Sequence, residues 1–169
     1  KHFKQSFERS DPSHDDEVTM DQVGMVDQDG TLGIGKFRYA IVICKLSEDW
    51  WTFKPLKSLD AAEAEMAFKD FCRGWTKDYK SIMVYCDGHR SLIRLCDELK
   101  ISRRHPPPGR PQANAVIERK IGVALAGIRA YLASGCLPNC FWPFAGHCFS
   151  LNSCLSRKNK EESPYEKMF

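Results

Sequence analysis

The stretch FRYAIVICKLSEDWWTFKPL, Phe37 to Leu56, decides how the rest of the chain is read. Its first half centres on an apolar run rich in β-branched residues, YAIVIC, and reads as a strand. Its second half, WWTFKPL, is rich in aromatics, closes on Pro55, and reads as another. Upstream, EVTMDQVGMV (Glu17 to Val26) alternates in part and reads as a strand that carries Asp21 in its middle. Gly30, Gly33 and Gly35 mark the turn between that strand and the next. Three strands on short connections predict an antiparallel meander.

Downstream the period changes. SLDAAEAEMAFKDFCRGW predicts a helix with apolar positions at Ala62, Met66, Phe68 and Cys72, Asp60 as N-cap and an end near Gly74. SIMVYC reads as a buried strand with Asp87 directly beyond it, RSLIRLCDELK as a helix, and ISRR as a short last strand. From Asn114 a further helix puts Ile117, Ile121, Leu125, Ile128 and Leu132 on one stripe. Glu118 lies beside that stripe, and Arg119 and Lys120 are expected to point to solvent. The order β-β-β-α-β-α-β-α-α predicts an α/β layer fold with a five-stranded mixed sheet flanked by helices. Residues 1–16 are polar and read as a flexible lead-in, with residues 17–169 as one domain.

Composition narrows the classes. At 169 residues, 43% hydrophobic and 28% charged, the chain can bury a core and is not of the disordered type. Its longest clean apolar run, Tyr39 to Cys44, is too short to span a bilayer, and its first residues carry no signal-peptide core. The expected setting is soluble and intracellular, with no membrane partner. The cysteines sit in strand-like and helix-like runs, which favours reduced, mostly buried thiols over a disulfide framework. Cys136, Cys140, His147 and Cys148 cluster, but without the CxxC pair of common zinc modules. The four tryptophans read chiefly as core aromatics.

Charge is distributed unevenly. Lys100, Arg103, Arg104, Arg110, Arg119, Lys120 and Arg129 share the span from Lys100 to Ala130 with one acid, Glu118. Such a segment is either a solvated face or a surface for a polyanion. Arg104, Arg110, Gln112, Asn114, Arg119 and Lys120 are the candidates for contact with nucleic-acid phosphates. The loop PPPG, Pro106 to Gly109, is a stiff turn before them. His89 and His105 lie near the same region and read as surface residues. Three carboxylates occupy comparable places: Asp21 within the first strand, Asp87 at the end of the fourth, and Glu118 in the following helix. Converging carboxylates suit hard divalent cations, and two Mg²⁺ ions about 4 Å apart can activate a nucleophile and stabilise a leaving oxygen on phosphorus.

CDG after the fourth strand, PPPGRPQANAVIERK, LASGCLPNCFWPFAGHCFSLN and ESPYEKMF together resemble the catalytic core of retroviral-type integrases, in particular those of copia-type retrotransposons. The resemblance runs from about Val18 to the C-terminus. It implies a ribonuclease H-like fold, with Asp21, Asp87 and Glu118 as the D,D,E metal ligands and catalytic residues. It further implies 3′-end processing and strand transfer of DNA with Mg²⁺, Mn²⁺ substituting, on element ends and target DNA. A homo-oligomer and a nuclear site of action are expected with it. Gly88 and His89 stand where the family commonly has Asn after the second Asp. Two alternatives remain open at this point: a domesticated or decayed copy that binds nucleic acid without catalysis, and a nuclease of the same fold that only hydrolyses.

Overall fold

The computed structural model describes residues 16–26, 30–104, 115–157 and 161–169. In chain order the elements are β1 (Asp16–Gly24), β2 (Tyr39–Lys45), β3 (Trp50–Leu56), α1 (Ala61–Cys72), β4 (Ile82–Tyr85), α2 (Arg90–Leu99), β5 (Ser102–Arg104), α3 (Ala115–Ser134), α4 (Trp142–Leu155) and α5 (Pro164–Met168). One sheet of order β3-β2-β1-β4-β5 joins the five strands. β1, β2 and β3 pair antiparallel, and β1, β4 and β5 parallel. The mixed sheet therefore matches the expected meander followed by crossovers.

Both faces of the sheet are covered, which is why β2 reads as an unbroken apolar run. Ile41 and Ile43 join Val18, Met20, Ile82 and Val84 beneath α1 and α2. Ala40, Val42 and Cys44 join Trp51 and Phe53 beneath α3 and α4. A side-chain period of two puts Thr19 and Asp21 of β1 on this second face, opposite to Val18 and Met20. That is how an acid enters an otherwise apolar strand: it stands at the margin of the face that receives α3.

Close approaches fix how α4 meets the sheet. A Cβ on Gly33 would stand 2.6 Å from Pro143 Cγ and 2.7 Å from Trp142 Cε2. The Ile34 amide donates to the Cys140 carbonyl at 2.8 Å, tying the β1–β2 connection to the start of α4. Further along, the Trp51 amide donates to Cys154 Sγ at 3.4 Å, and the same thiol donates back to the Trp51 carbonyl at 3.2 Å. Gly127 of α3 takes the ring of Phe149, leaving no room for a side chain. Lys45, 8% exposed, holds its charge indoors through Asp16 at 2.8 Å and Glu48 at 3.2 Å, with the Trp75 ring centroid 4.6 Å away.

Several expectations need correction. Asp16 belongs to β1, paired with Ile82 and bound to Lys45, and not to a lead-in. In α1 the buried residues are Ala64, Ala67, Phe68, Phe71 and Cys72, while Ala62 and Met66 are exposed. The spacing 64, 67, 68, 71 is one helical face, and Ala62 and Met66 lie off it. Asp60 precedes α1 in an extended conformation but makes no side-chain cap. Instead Glu63 Oε2 accepts from the amides of Lys57 at 2.6 Å and Ser58 at 3.3 Å. On α3, Ala124 and Gly127 are buried, whereas Leu125 is half-buried, because close contact with α4 rewards small residues. Trp51 and Trp142 are core residues at 3% and 4% exposure, but Trp50 and Trp75 are only half-buried. All eight cysteines are free thiols: Cys136 and Cys148 are exposed, Cys140 is half-buried and the rest are buried. Residues 1–15, His105, Pro106 to Gly109, Arg110, Gln112 and Asn114 lie outside the described residues.

Candidate active site

Asp21 lies on β1, Asp87 just beyond β4 and Glu118 on α3. β1 and β4 run parallel, with Thr19 opposite Tyr85. β4 ends at Tyr85, and Asp87 follows two residues beyond it, as Asp21 follows Thr19 by two along β1. Open α/β sheets place their sites at such carboxyl ends of strands. Glu118 sits in the first turn of α3, the helix that crosses the same face.

At Asp21 the effects that disfavour the charged form outweigh those that favour it. Burial pushes the Asp21 carboxyl up from its ordinary value, and the charges of Asp87 and Glu118 push it further. The Gln22 amide, donating to Asp21 Oδ1 at 2.7 Å, and nearby His89 act in the opposite direction. Desolvation is thus the leading cause, ahead of the mutual repulsion that the sequence suggests. Asp87 is half-buried and Glu118 exposed. Among the described residues no three His, Cys, Asp or Glu side chains are grouped so as to hold a metal ion; this covers the three acids and also Cys136, Cys140, His147 and Cys148.

A hydrogen-bonded chain absent from the sequence reading links the two aspartates. The His89 amide donates to Asp87 Oδ1 at 3.0 Å. Its ring Nδ1 lies 2.8 Å from Ser91 Oγ, which donates to Gln22 Oε1 at 2.8 Å. His89 is therefore a half-buried linker rather than a plain surface residue. Gln22 Nε2 and Thr19 Oγ1 are buried with no partner among the described residues. No pattern in the sequence joins Gln22 to Ser91; parallel pairing of β1 with β4 does.

The basic candidates divide. Arg104 is exposed on β5 beside the Tyr85 hydroxyl, which donates to Glu17 at 2.9 Å. Arg119 is exposed and forms no ion pair among the described residues. Lys120 does not point to solvent. Its side chain is 15% exposed, its ammonium is 2.6 Å from Asp49 Oδ1 and 5.4 Å from the centroid of the Trp51 ring. Arg119 and Lys120 line a groove of about 590 Å³ between α3 and α4, with Asp49, Trp51 and Phe149.

By sequence, the chain matches no family model and no curated protein. Its fold does match solved structures. Against the catalytic core domain of BIV integrase the TM-score is 0.63 at 16% identity, covering 92% of this chain and 93% of that one. Against the HTLV-2 integrase catalytic core domain in complex with magnesium, in a trimeric form, it is 0.64 at 13% identity, covering 93% and 97%. Against a simian T-cell lymphotropic virus intasome in complex with a PP2A regulatory subunit, B56 gamma, it is 0.65 at 12% identity, covering 90% of this chain and 53% of that one. The chain has the ribonuclease H-like fold of retroviral integrase catalytic cores; at these identities the likeness is one of fold.

Proposed function

We propose that this chain is the catalytic core of a metal-dependent polynucleotidyl transferase, an integrase of a copia-type retrotransposon or related mobile element. The observation that carries the reading is local. Asp21, within the central strand β1, carries a carboxyl raised by burial and by Asp87 and Glu118, in a fold shared with retroviral integrase cores. Asp21, Asp87 and Glu118 are the catalytic residues of this reading.

The donor set fits a hard divalent cation in kind: all-oxygen ligands with negative charge that no lysine or arginine among the described residues offsets at Asp21. Asp21, Asp87 and Glu118 would hold Mg²⁺, or Mn²⁺ in its place, which when bound supplies charge neutralisation at phosphorus and a more acidic attacking oxygen. The Gln22 amide holds Asp21 Oδ1 and the His89 amide holds Asp87 Oδ1, so the backbone orients each acid. Arg104 and Arg119 hold the DNA backbone, together with Arg110, Gln112 and Asn114 of the preceding segment. Lys120, occupied by Asp49, is left out of that set. The neighbours described as an intasome and as a trimeric form support action on DNA as a homo-oligomer. The nucleus is the place of action that this reading proposes.

The test incubates purified protein with a short duplex and Mg²⁺ or Mn²⁺ and resolves nicked and joined strands on a denaturing gel. Glu118→Gln keeps size and hydrogen bonding but removes the charge. Joining should fall to background while DNA affinity is held or rises. Joining at the wild-type level by Glu118→Gln would overturn the reading, and cutting without joining would mark a hydrolytic nuclease.

A further inference from the structure

We infer that Lys120 is a positioning residue: its ion pair with Asp49 ties the first turns of α3 to the β2–β3 turn and so fixes where Glu118 faces Asp21. The inference rests on the metal-binding reading of Glu118 given above. It assigns Lys120 and Asp49 a task inside the fold, although Lys120 belongs to the basic run that reads as a nucleic-acid surface.

Glu118 itself makes no hydrogen bond or ion pair among the described residues, yet Asp21 feels its charge. Its place is therefore set by the helix that carries it and not by contacts of its own. Two residues further along, Lys120 points about 200° round the helix from Glu118. A tie on one side of the helix accordingly sets the rotation of the other. That tie is short, with Nζ 2.6 Å from Asp49 Oδ1; the Lys120 side chain is 15% exposed and the Asp49 side chain 47%.

Its far end lies in a tight turn. Asp49 adopts φ 58°, a left-handed conformation few non-glycine residues take, in the turn between two paired strands. The ammonium also stands 5.4 Å from the ring centroid of Trp51, which is 3% exposed and bonded through its backbone to Cys154. Beyond these turns α3 is fixed by Ala124, Gly127 and Ile128 against the sheet and α4. In the first turns Ile117 supplies the apolar contact and Lys120 the polar one.

The experiment compares the wild type with Lys120→Met, Asp49→Asn, the charge-swapped double variant Asp49→Lys with Lys120→Asp, and Glu118→Gln, each confirmed as folded by circular dichroism. Two readouts are taken on the full chain: amide hydrogen exchange across residues 118–121, and Mn²⁺ affinity from water-proton relaxation. Lys120→Met and Asp49→Asn should speed exchange in that segment about tenfold, with the rest of the sheet unchanged. They should weaken Mn²⁺ binding by about tenfold or more, as loss of a residue that orients a ligand does. The charge swap should recover most of both. Unaltered exchange in Lys120→Met overturns the inference, as does faster exchange with wild-type Mn²⁺ affinity, which would make the pair merely structural. If wild type and Glu118→Gln bind Mn²⁺ equally, the metal reading falls and the positioning role falls with it. Glu118-dependent binding that Lys120→Met leaves intact refutes the positioning role alone.

Discussion

Gly33→Ala should destabilise the protein although it adds a single methyl group. The new carbon would stand 2.6 Å from Pro143 Cγ, 2.7 Å from Trp142 Cε2 and 2.8 Å from Trp142 Nε1. Carbon contacts are at rest near about 3.5–4.0 Å, so three atoms must each retreat by roughly 1 Å. They are badly placed to do so. Trp142 is 4% exposed and packs edge-on against Phe53 and Phe37, with ring centroids 6.1 Å and 6.5 Å away. Overpacking of this sort costs about 1–3 kcal/mol. The stiffer unfolded chain of an alanine returns about 0.4–1 kcal/mol, leaving a net loss of about 1–2 kcal/mol. Gly122→Ala is the matched control: it lies exposed on α3 with nothing within 4 Å of its added carbon. There helix propensity alone operates and should stabilise by about 0.8–1 kcal/mol. Urea denaturation followed by circular dichroism should separate the two variants by about 1–1.5 M in midpoint for a slope of about 2 kcal/mol/M. A Gly33→Ala midpoint at or above the wild type would refute the claim that this turn is wedged against α4.

Two further outcomes follow from the charges and caps. Asp21→Asn in metal-free buffer should raise stability at neutral pH, by about 0.5–2 kcal/mol, because an acid with a raised folded pKa destabilises the fold when ionised. The penalty grows as pH climbs through the raised folded value and disappears below the unfolded one, so thermal melts should converge in acid; a gain that persists there would contradict the assignment. Ser163→Ala removes a capping box in which Ser163 Oγ accepts from the Glu166 amide at 3.2 Å and Glu166 Oε2 from the Ser163 amide at 2.8 Å. It should cost about 1 kcal/mol in urea and alter the near-ultraviolet signal of Trp50, which packs on Tyr165 and Phe169; an unchanged midpoint and signal would show that α5 needs no cap.

The parts of the fold legible in the sequence are those where one residue's neighbours are also its chain neighbours. The β2 and β3 runs and the order of elements are of this kind, since burial on one or both faces writes itself into local periodicity. Which face of a helix meets the sheet is less local. Met66 sits in a plausible apolar series on α1 and is 68% exposed, because the helix turns Ala64, Phe68 and Phe71 inward instead. The acids were readable as candidates by position in their elements; what joins Asp87 to Asp21 was not. His89, Ser91 and Gln22 meet only once β4 lies parallel to β1. Lys120 taught the same lesson in reverse. Among arginines and lysines it looked like one more surface cation, and only the β2–β3 turn, distant in sequence, reveals its partner Asp49.

Strand β3 forms one border of the sheet, and a border of that kind invites another chain to pair with it. The outward-facing amides fall on alternate residues: Trp51, Phe53 and Pro55. Cys154 engages both the amide and the carbonyl of Trp51 with one sulfur atom, and Pro55 has no N–H to give. An incoming strand would find a single outward donor, at Phe53, between one already engaged and one that is lacking. A thiol and an imino acid thereby make this rim a poor template for fibril growth, which matters for a domain whose central strands, YAIVIC above all, would aggregate readily if they were ever presented to a second copy.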